Sequence, residues 1–180
     1  MLEGKNVNLR VMEKEDLPLF ANWANKPEVL GEYNPLHQMS KTEAERIFEE
    51  SSSIKPFIIE KKDGTKIGFI FHFNVVHTAT GTNQLEIGYS LVPDERRKGY
   101  GTEALAIMVD YLFLSKDIMR IQAQTDQRNM ASQRILEKAG FKKEGTLRNN
   151  FFVRGEWTDD HMYSIIRREW KEPKILTKTA

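Results

Sequence analysis

The segment Arg96-Arg97-Lys98-Gly99-Tyr100-Gly101-Thr102 constrains the fold more than any other part of the chain. Before it, Leu85-Glu86-Ile87-Gly88-Tyr89-Ser90-Leu91-Val92 alternates polar and apolar residues with the period of a half-buried β-strand. After it, Ala104, Leu105, Met108, Val109, Leu112 and Phe113 recur at the spacing of a helix's buried stripe. A basic, glycine-containing turn therefore joins a strand to a helix N-terminus. Backbone N–H groups of the first helical turn and the positive end of the helix dipole converge there. Gly99 and Gly101 carry no Cβ to hold a ligand off the backbone. The expected ligand is a phosphate or pyrophosphate.

Two common phosphate loops do not fit. A Walker loop places its lysine after the glycines, whereas Lys98 precedes Gly99. A dinucleotide fingerprint needs a third glycine where this chain has Ala104, and a strand buried on both faces. Downstream lies a second well-punctuated helix. Asn129 suits an N-cap, Ala131, Ile135, Leu136 and Ala139 form its buried stripe, and Gly140 sits where a C-terminal cap needs a left-handed residue. A strand over 119–125 separates the two motifs.

The R-x-x-G-x-G pattern of Arg96 to Gly101 resembles the acetyl-CoA pyrophosphate loop of the GNAT N-acetyltransferase superfamily. Asn129-Met130-Ala131-Ser132-Gln133-Arg134-Ile135-Leu136-Glu137-Lys138-Ala139-Gly140-Phe141 resembles a second signature of the same superfamily. The flanks extend the likeness over nearly the whole chain. Val7 to Val11 with Glu15-Asp16-Leu17 is similar to the opening strand and first helix. Phe151 to Asp159, followed by Met162 to Ile165, is similar to the ribosomal-protein N-terminal acetyltransferase (RimJ/RimL-like) branch, and spermidine acetyltransferases share this ending. The resemblance implies a single α/β domain over 1–170, with a central mixed, mostly antiparallel sheet and flanking helices. A polar tail, expected to fray, occupies 171–180.

Size and composition agree with one domain. A chain of 180 residues can bury about 70% of its unfolded surface. The formal charge of +1 argues against a general nucleic-acid binder, which needs a marked basic excess. The chain has no cysteine, which removes disulfides, thiolate metal sites and a cysteine nucleophile and fits the cytoplasm, the expected compartment. The N-terminus lacks a signal's apolar core, and no apolar run approaches the ~20 residues needed to span a bilayer, so no membrane role is expected. The four histidines, at 37, 72, 77 and 161, form no zinc pattern, and no metal is expected.

Periodicity places strands at 7–13, 56–61, 67–75, around Glu86, at 119–125, 150–156 and 160–167. Helices are expected from Leu17 to Ala24, over 41–52, after Gly99 and after Asn129. Pro27, Gly31 and Pro35 break the segment between the first two helices into turns or a short helix, and 77–84 reads as a polar hairpin loop.

Acetyl transfer from a thioester to an amine needs a neutral amine, an oxyanion site and a stabilised leaving thiolate. Glu86 is the candidate base or amine ligand. Gly88 on its strand face leaves room for a substrate. Ser132 is the candidate partner of the sulfur. Many enzymes of the superfamily carry a tyrosine acid later in that helix, where this chain has Leu136, while RimL-like proteins carry serine at the position of Ser132. The resemblance assigns the pyrophosphate to Arg96, Arg97, Lys98, Gly99, Tyr100, Gly101 and Thr102, and the pantetheine arm to Asn129. Leu91, Val92 and Pro93 would pair with that arm through a β-bulge. The acceptor pocket is expected among Trp23, Glu32, Tyr33, Phe71, Arg148, Phe151 and Trp157.

The implied reaction is acetyl-CoA-dependent N-acetylation by direct attack, with a protein N-terminal α-amine or related amine as acceptor. A polyamine or aminoglycoside-like amine is the alternative, favoured by acidic pocket residues. A weakly catalytic CoA-binding sensor is a third reading. Proteins of the superfamily are often dimers, so a homodimer is compatible with the resemblance, which does not fix the oligomeric state.

Overall fold

The computed structural model describes residues 1–50, 54–77 and 82–176. In chain order it contains β1 (Leu2–Glu3), β2 (Val7–Val11), a 3-10 turn (Lys14–Asp16), α1 (Leu17–Ala24), α2 (Pro27–Leu30), α3 (Lys41–Glu50), β3 (Ile54–Lys61), β4 (Lys66–His77) and β5 (Thr82–Leu91). A second 3-10 turn (Pro93–Glu95) then leads to α4 (Tyr100–Ser115), β6 (Arg120–Asp126), α5 (Met130–Ala139), β7 (Lys142–Val153) and β8 (Glu156–Ile166).

The eight strands form one sheet in the order β1-β2-β3-β4-β5-β6-β8-β7. Every neighbouring pair is antiparallel except β5 and β6. That exception follows from α4, which carries the chain from the end of β5 back to the start of β6, as a parallel pair requires. The strands' period of two fills both faces. Phe57 and Ile59 join the core on the α4 side, while Ile58 between them packs with Met12, Leu17, Trp23 and Phe69 on the α1 side. Helix α4 is buried almost all round, from Ala104 to Asp110 without a break, because it lies between the sheet and other chain segments.

The expected loop over 77–84 is shorter, since β4 runs to His77 and β5 begins at Thr82, and two expectations change in the C-terminal part. The late strands are longer than periodicity suggested, and their turn falls earlier. Arg154 (φ 51°) and Gly155 (φ 93°) are both left-handed, so they close a two-residue hairpin and β8 begins at Glu156. The tail does not fray at Lys171. The buried Asp110 carboxylate accepts from the Trp170 indole (2.9 Å) and from the backbone N–H groups of Lys174 (3.1 Å), Ile175 (2.7 Å) and Leu176 (3.0 Å). Residues 177–180 lie outside the described residues, as do 51–52 of the expected third helix and 78–81 of the expected hairpin loop.

Candidate active site

Strands β5 and β6 pair only at Leu85↔Ile121 and Glu86↔Gln122, then diverge. The gap opens at the carboxyl ends of two parallel strands, the place where open α/β sheets bind ligands. It holds a cavity of about 400 Å³ bordered by Glu86 to Ser90 of β5 and Ala123 to Asp126 of β6. The loops that follow these strands lead into α4 and α5, so both helix N-termini lie at this end of the sheet.

The register of β4 and β5 runs unbroken from His77↔Thr82 to Gly68↔Leu91, and the Val92 N–H continues it to the Ile67 carbonyl at 2.9 Å. The expected bulge at Leu91, Val92 and Pro93 is therefore absent. The free edge arises another way. In an antiparallel ladder hydrogen-bonded pairs alternate, so Val92, Ser90 and Gly88 face β4, and the backbone groups of Tyr89 and Leu91 face the side that β6 has left. The Leu91 carbonyl is taken by Arg96 Nε at 3.0 Å. By the same alternation the Tyr89 N–H and carbonyl and the Leu91 N–H point to the side that β6 has left, where Tyr89 borders the cavity.

In the loop before α4, Arg97 (φ 61°) and Gly99 (φ 88°) both adopt left-handed backbone, and the Cβ position of Gly99 faces open space. The first intrahelical bond runs from the Glu103 N–H to the Gly99 carbonyl at 3.1 Å. The N–H groups of Tyr100, Gly101 and Thr102 thus belong to the open first turn. Arg97 and Lys98 are exposed beside them, with Lys98 Nζ 2.9 Å from Glu95. The loop's geometry suits an anionic group. Arg96 differs: besides Leu91, its guanidinium donates to the carbonyls of Glu28 (2.8 Å) and Val29 (2.7 Å), tying α2 to the end of β5. Gly101 also differs from expectation. A Cβ there would meet Ile135 Cδ1 at 3.1 Å and Leu91 Cδ1 at 3.4 Å, so the missing side chain serves packing rather than approach to a ligand.

At the start of α5, Asn129 Oδ1 accepts the Ser132 N–H at 3.1 Å, the N-cap that the sequence predicts. Asn129 and Ser132 both border the cavity. The Ser132 hydroxyl lies 3.0 Å from the Tyr89 hydroxyl. Burial pushes the Tyr89 phenol up to about 12 despite that hydrogen bond, so the ring is neutral at physiological pH.

The opposite face of the cleft is acidic. Glu86 Oε2 accepts from Gln122 Nε2 (2.8 Å) and Gln124 Nε2 (3.3 Å). Gln124 Oε1 accepts from Asn150 Nδ2 (2.8 Å), which also donates to Asp160 Oδ2 (2.9 Å). A chain of amides thus joins two carboxylates across β5, β6, β7 and β8. Burial raises the Asp160 carboxyl, and the charges of Asp126 and Asp159 add to this against the Asn150 hydrogen bond. Burial acts the same way on Asp126, but the Arg128 guanidinium, at 2.7 and 2.9 Å, holds that carboxyl below the ordinary range. Phe69, Phe71 and Phe73, stacked in sequence along β4, wall the cavity with Tyr33 and Phe151.

Of the expected acceptor residues, Tyr33, Phe71 and Phe151 border the cavity. Glu32 is exposed and bonds to the Tyr33 hydroxyl. Arg148 is exposed in the irregular stretch of β7 between Leu147 and Phe151 and does not border the cavity. Trp23 is buried against Phe69, and Trp157 stands exposed beside Phe152. Sequence reasoning missed Tyr89, Gln122, Gln124, Asn150 and Asp160. The one local signal was the alternation of Gln122 and Gln124 with Ile121 and Ala123, which puts both amides on one face of β6. Among the described residues no cluster of three histidines or carboxylates could hold a metal ion, and no helix is long and apolar enough to cross a membrane.

Residues 6–142 match the family described as Acetyltransferase (GNAT) domain. The chain is similar to the probable N-acetyltransferase YjcK of Bacillus subtilis, 32% identical over 177 residues, covering 92% of this chain and 97% of that protein. It is 25% identical to the spermidine N(1)-acetyltransferase of Escherichia coli K12, covering 94% and 91%. Among solved structures, Mycobacterium smegmatis RimJ in complex with CoA-disulfide superposes with a TM-score of 0.80 at 26% identity, covering 93% of this chain and 85% of that one. With its diverging parallel strands and the helix-start loop between them, the chain belongs to the GNAT acetyltransferase family and is an N-acetyltransferase.

Proposed function

We propose that this enzyme moves the acetyl group of acetyl-CoA to a primary amine of a small polycation, a polyamine-like acceptor. One observation carries the choice of acceptor. Glu86 and Asp160 border the same cleft, and among the described residues the partners of both are side-chain amides. Carboxylates removed from water without a cation are costly, and a cationic ligand offsets that cost. A protein N-terminus brings one ammonium. Two carboxylates without a cationic partner and an aromatic wall suit an acceptor with at least two positive centres. The similarity to a spermidine acetyltransferase along most of the chain supports the same reading.

Each element of the cleft then has a task. When bound, acetyl-CoA supplies the acyl group as a thioester. The first turn of α4, with Arg97 and Lys98, would hold the pyrophosphate. The backbone groups of Tyr89 and Leu91 would pair with the pantetheine amides and donate to the developing oxyanion. Glu86 would accept a proton from the arriving ammonium, directly or through a water. This step is needed because an alkylamine has an ordinary pKa near ~10.4. Both amide donors converge on Oε2, which leaves Oε1 for that proton. Ser132 and the N-terminus of α5 would face the leaving sulfur, where the helix dipole favours negative charge.

A free-thiol release assay with acetyl-CoA across polyamines, N-terminal peptides and aminoglycosides tests the acceptor. The highest kcat/KM is expected for polyamines, with KM rising as salt screens the carboxylates. Turnover confined to peptides would replace the acceptor with a protein N-terminus. Tight CoA binding without turnover on any amine would make the chain a sensor.

A further inference from the structure

We propose that Tyr89 is a positioning residue for the Ser132 hydroxyl: it fixes that hydroxyl as an acceptor on one side, so that its single proton is aimed at the leaving sulfur. The inference rests on the assignment of Ser132 to the sulfur and adds a residue that the GNAT motifs of this sequence do not include.

A serine hydroxyl has one O–H and rotates freely unless something fixes it. If Ser132 donated to a neighbour, it would turn its lone pairs toward the sulfur and repel the thiolate. The hydrogen bond recorded for the Ser132 hydroxyl is to Tyr89 Oη at 3.0 Å. The other acceptor open to Tyr89 is the Ser132 carbonyl at 3.5 Å, a longer and weaker contact. A phenol is a better donor and a poorer acceptor than an aliphatic alcohol, because its oxygen lone pair is delocalised into the ring. The pair therefore settles as Tyr89 O–H donating to Ser132 Oγ. Tyr89 is held in place from both sides. Its backbone lies in β5, its ring packs against the core shared with α4 and α5, and Asn129 pins the Ser132 N–H.

The chemistry needs no proton from Tyr89. When the carbon–sulfur bond breaks, its electron pair goes to sulfur, which leaves as thiolate. Ser132 donates a hydrogen bond to it, and the thiolate takes its proton from water afterwards. Tyr89 keeps its own proton throughout. This arrangement does the work of the helix tyrosine that Leu136 replaces, by orientation instead of acidity.

The test reads the sulfur directly and needs no acceptor. The thiol of bound CoA is titrated by its thiolate absorbance in wild type, Tyr89→Phe, Ser132→Ala and the double variant. An oriented hydroxyl should favour bound thiolate in wild type. Loss of one hydrogen bond to a charged group should lower the thiolate-to-thiol ratio by about tenfold in either single variant. The double variant should match Ser132→Ala, since Tyr89 acts only through Ser132. Affinity for CoA lacking its sulfur should stay unchanged in all four. As a variant of nearly unchanged shape, 3-fluorotyrosine at 89 is a stronger donor and should shift the thiol toward thiolate. An unmoved titration in Tyr89→Phe, or losses that add in the double variant, would overturn the role of Tyr89. Failure of wild type to bind CoA would overturn the cofactor reading itself. Failure of polyamines as acceptors would leave the Tyr89 result standing.

Discussion

The two sides of the cleft are built on different principles. The side we assign to the cofactor is made of backbone: the first turn of α4, the left-handed Arg97 and Gly99, the edge of β5 and the capped start of α5. Each piece is set by residues within a few positions of each other. The side we assign to the acceptor is made of side chains from β5, β6, β7 and β8, brought together by Glu86, Gln124, Asn150 and Asp160. A backbone site binds what all acetyl donors share, and a side-chain site can change its acceptor by single substitutions. Charge divides the same way, basic before α4, where Arg97 and Lys98 are exposed, and acidic across the sheet.

The comparison breaks first at Glu86. Glu86→Gln should lower kcat by roughly 10²-fold or more, the scale of a lost general base, while CoA affinity measured by calorimetry stays put. A raised acceptor KM at near-normal kcat would turn Glu86 into a binding residue.

Next comes the backbone side. Gly99→Asp strains a left-handed position and puts a negative charge at the start of α4, so CoA affinity should fall by about 10- to 100-fold with the fold retained. Gly101→Asp should lose thermal stability as well, because its Cβ meets Ile135. A wild-type melting temperature in Gly101→Asp would contradict the packing role of Gly101.

Asp160→Asn should raise the acceptor KM by about tenfold, as for one lost ionic hydrogen bond, and spare CoA. It also has a signed effect on stability. A carboxyl raised in the folded state favours the protonated native form. Its contribution is greatest below the ordinary value of 3.8 and is lost as pH rises through the raised one. The asparagine variant should therefore melt above wild type at neutral pH, and the difference should vanish in acid. A variant that melts lower at neutral pH would mean that the charge is compensated.

The smallest effects are expected at Arg148 and Glu32. Both are exposed and neither borders the cavity, although Glu32 touches Tyr33 on its wall. Alanine at either should leave kcat/KM within about twofold, as surface substitutions usually do. A tenfold loss at Arg148 would place the irregular stretch of β7 in the acceptor site.

What the sequence determined by itself was the local and periodic part. The strand–loop–helix unit around Gly99, the Asn129 cap and the Gly140 stop each depend on φ/ψ preferences and hydrogen bonds that span a few residues. The alternation of Ile67, Phe69, Phe71 and Phe73 likewise announced its strand. Gly101 marks the limit of such reading, because a helix glycine looks the same whether it makes room for a ligand or for Ile135. The hairpin turn at Arg154-Gly155 and the anchoring of the tail on Asp110 were also hidden. An arginine at positive φ carries no turn signature, and one buried carboxylate in α4 receives donors from residues about sixty positions away. Above all, only the tertiary structure decided which polar residues share the cleft. Tyr89 meets Ser132, and Glu86 is linked to Asp160, because β5 and β6 part after two residue pairs and β8 follows β6. That divergence arises from sheet twist and helix packing summed over the whole domain, and no window of sequence contains it.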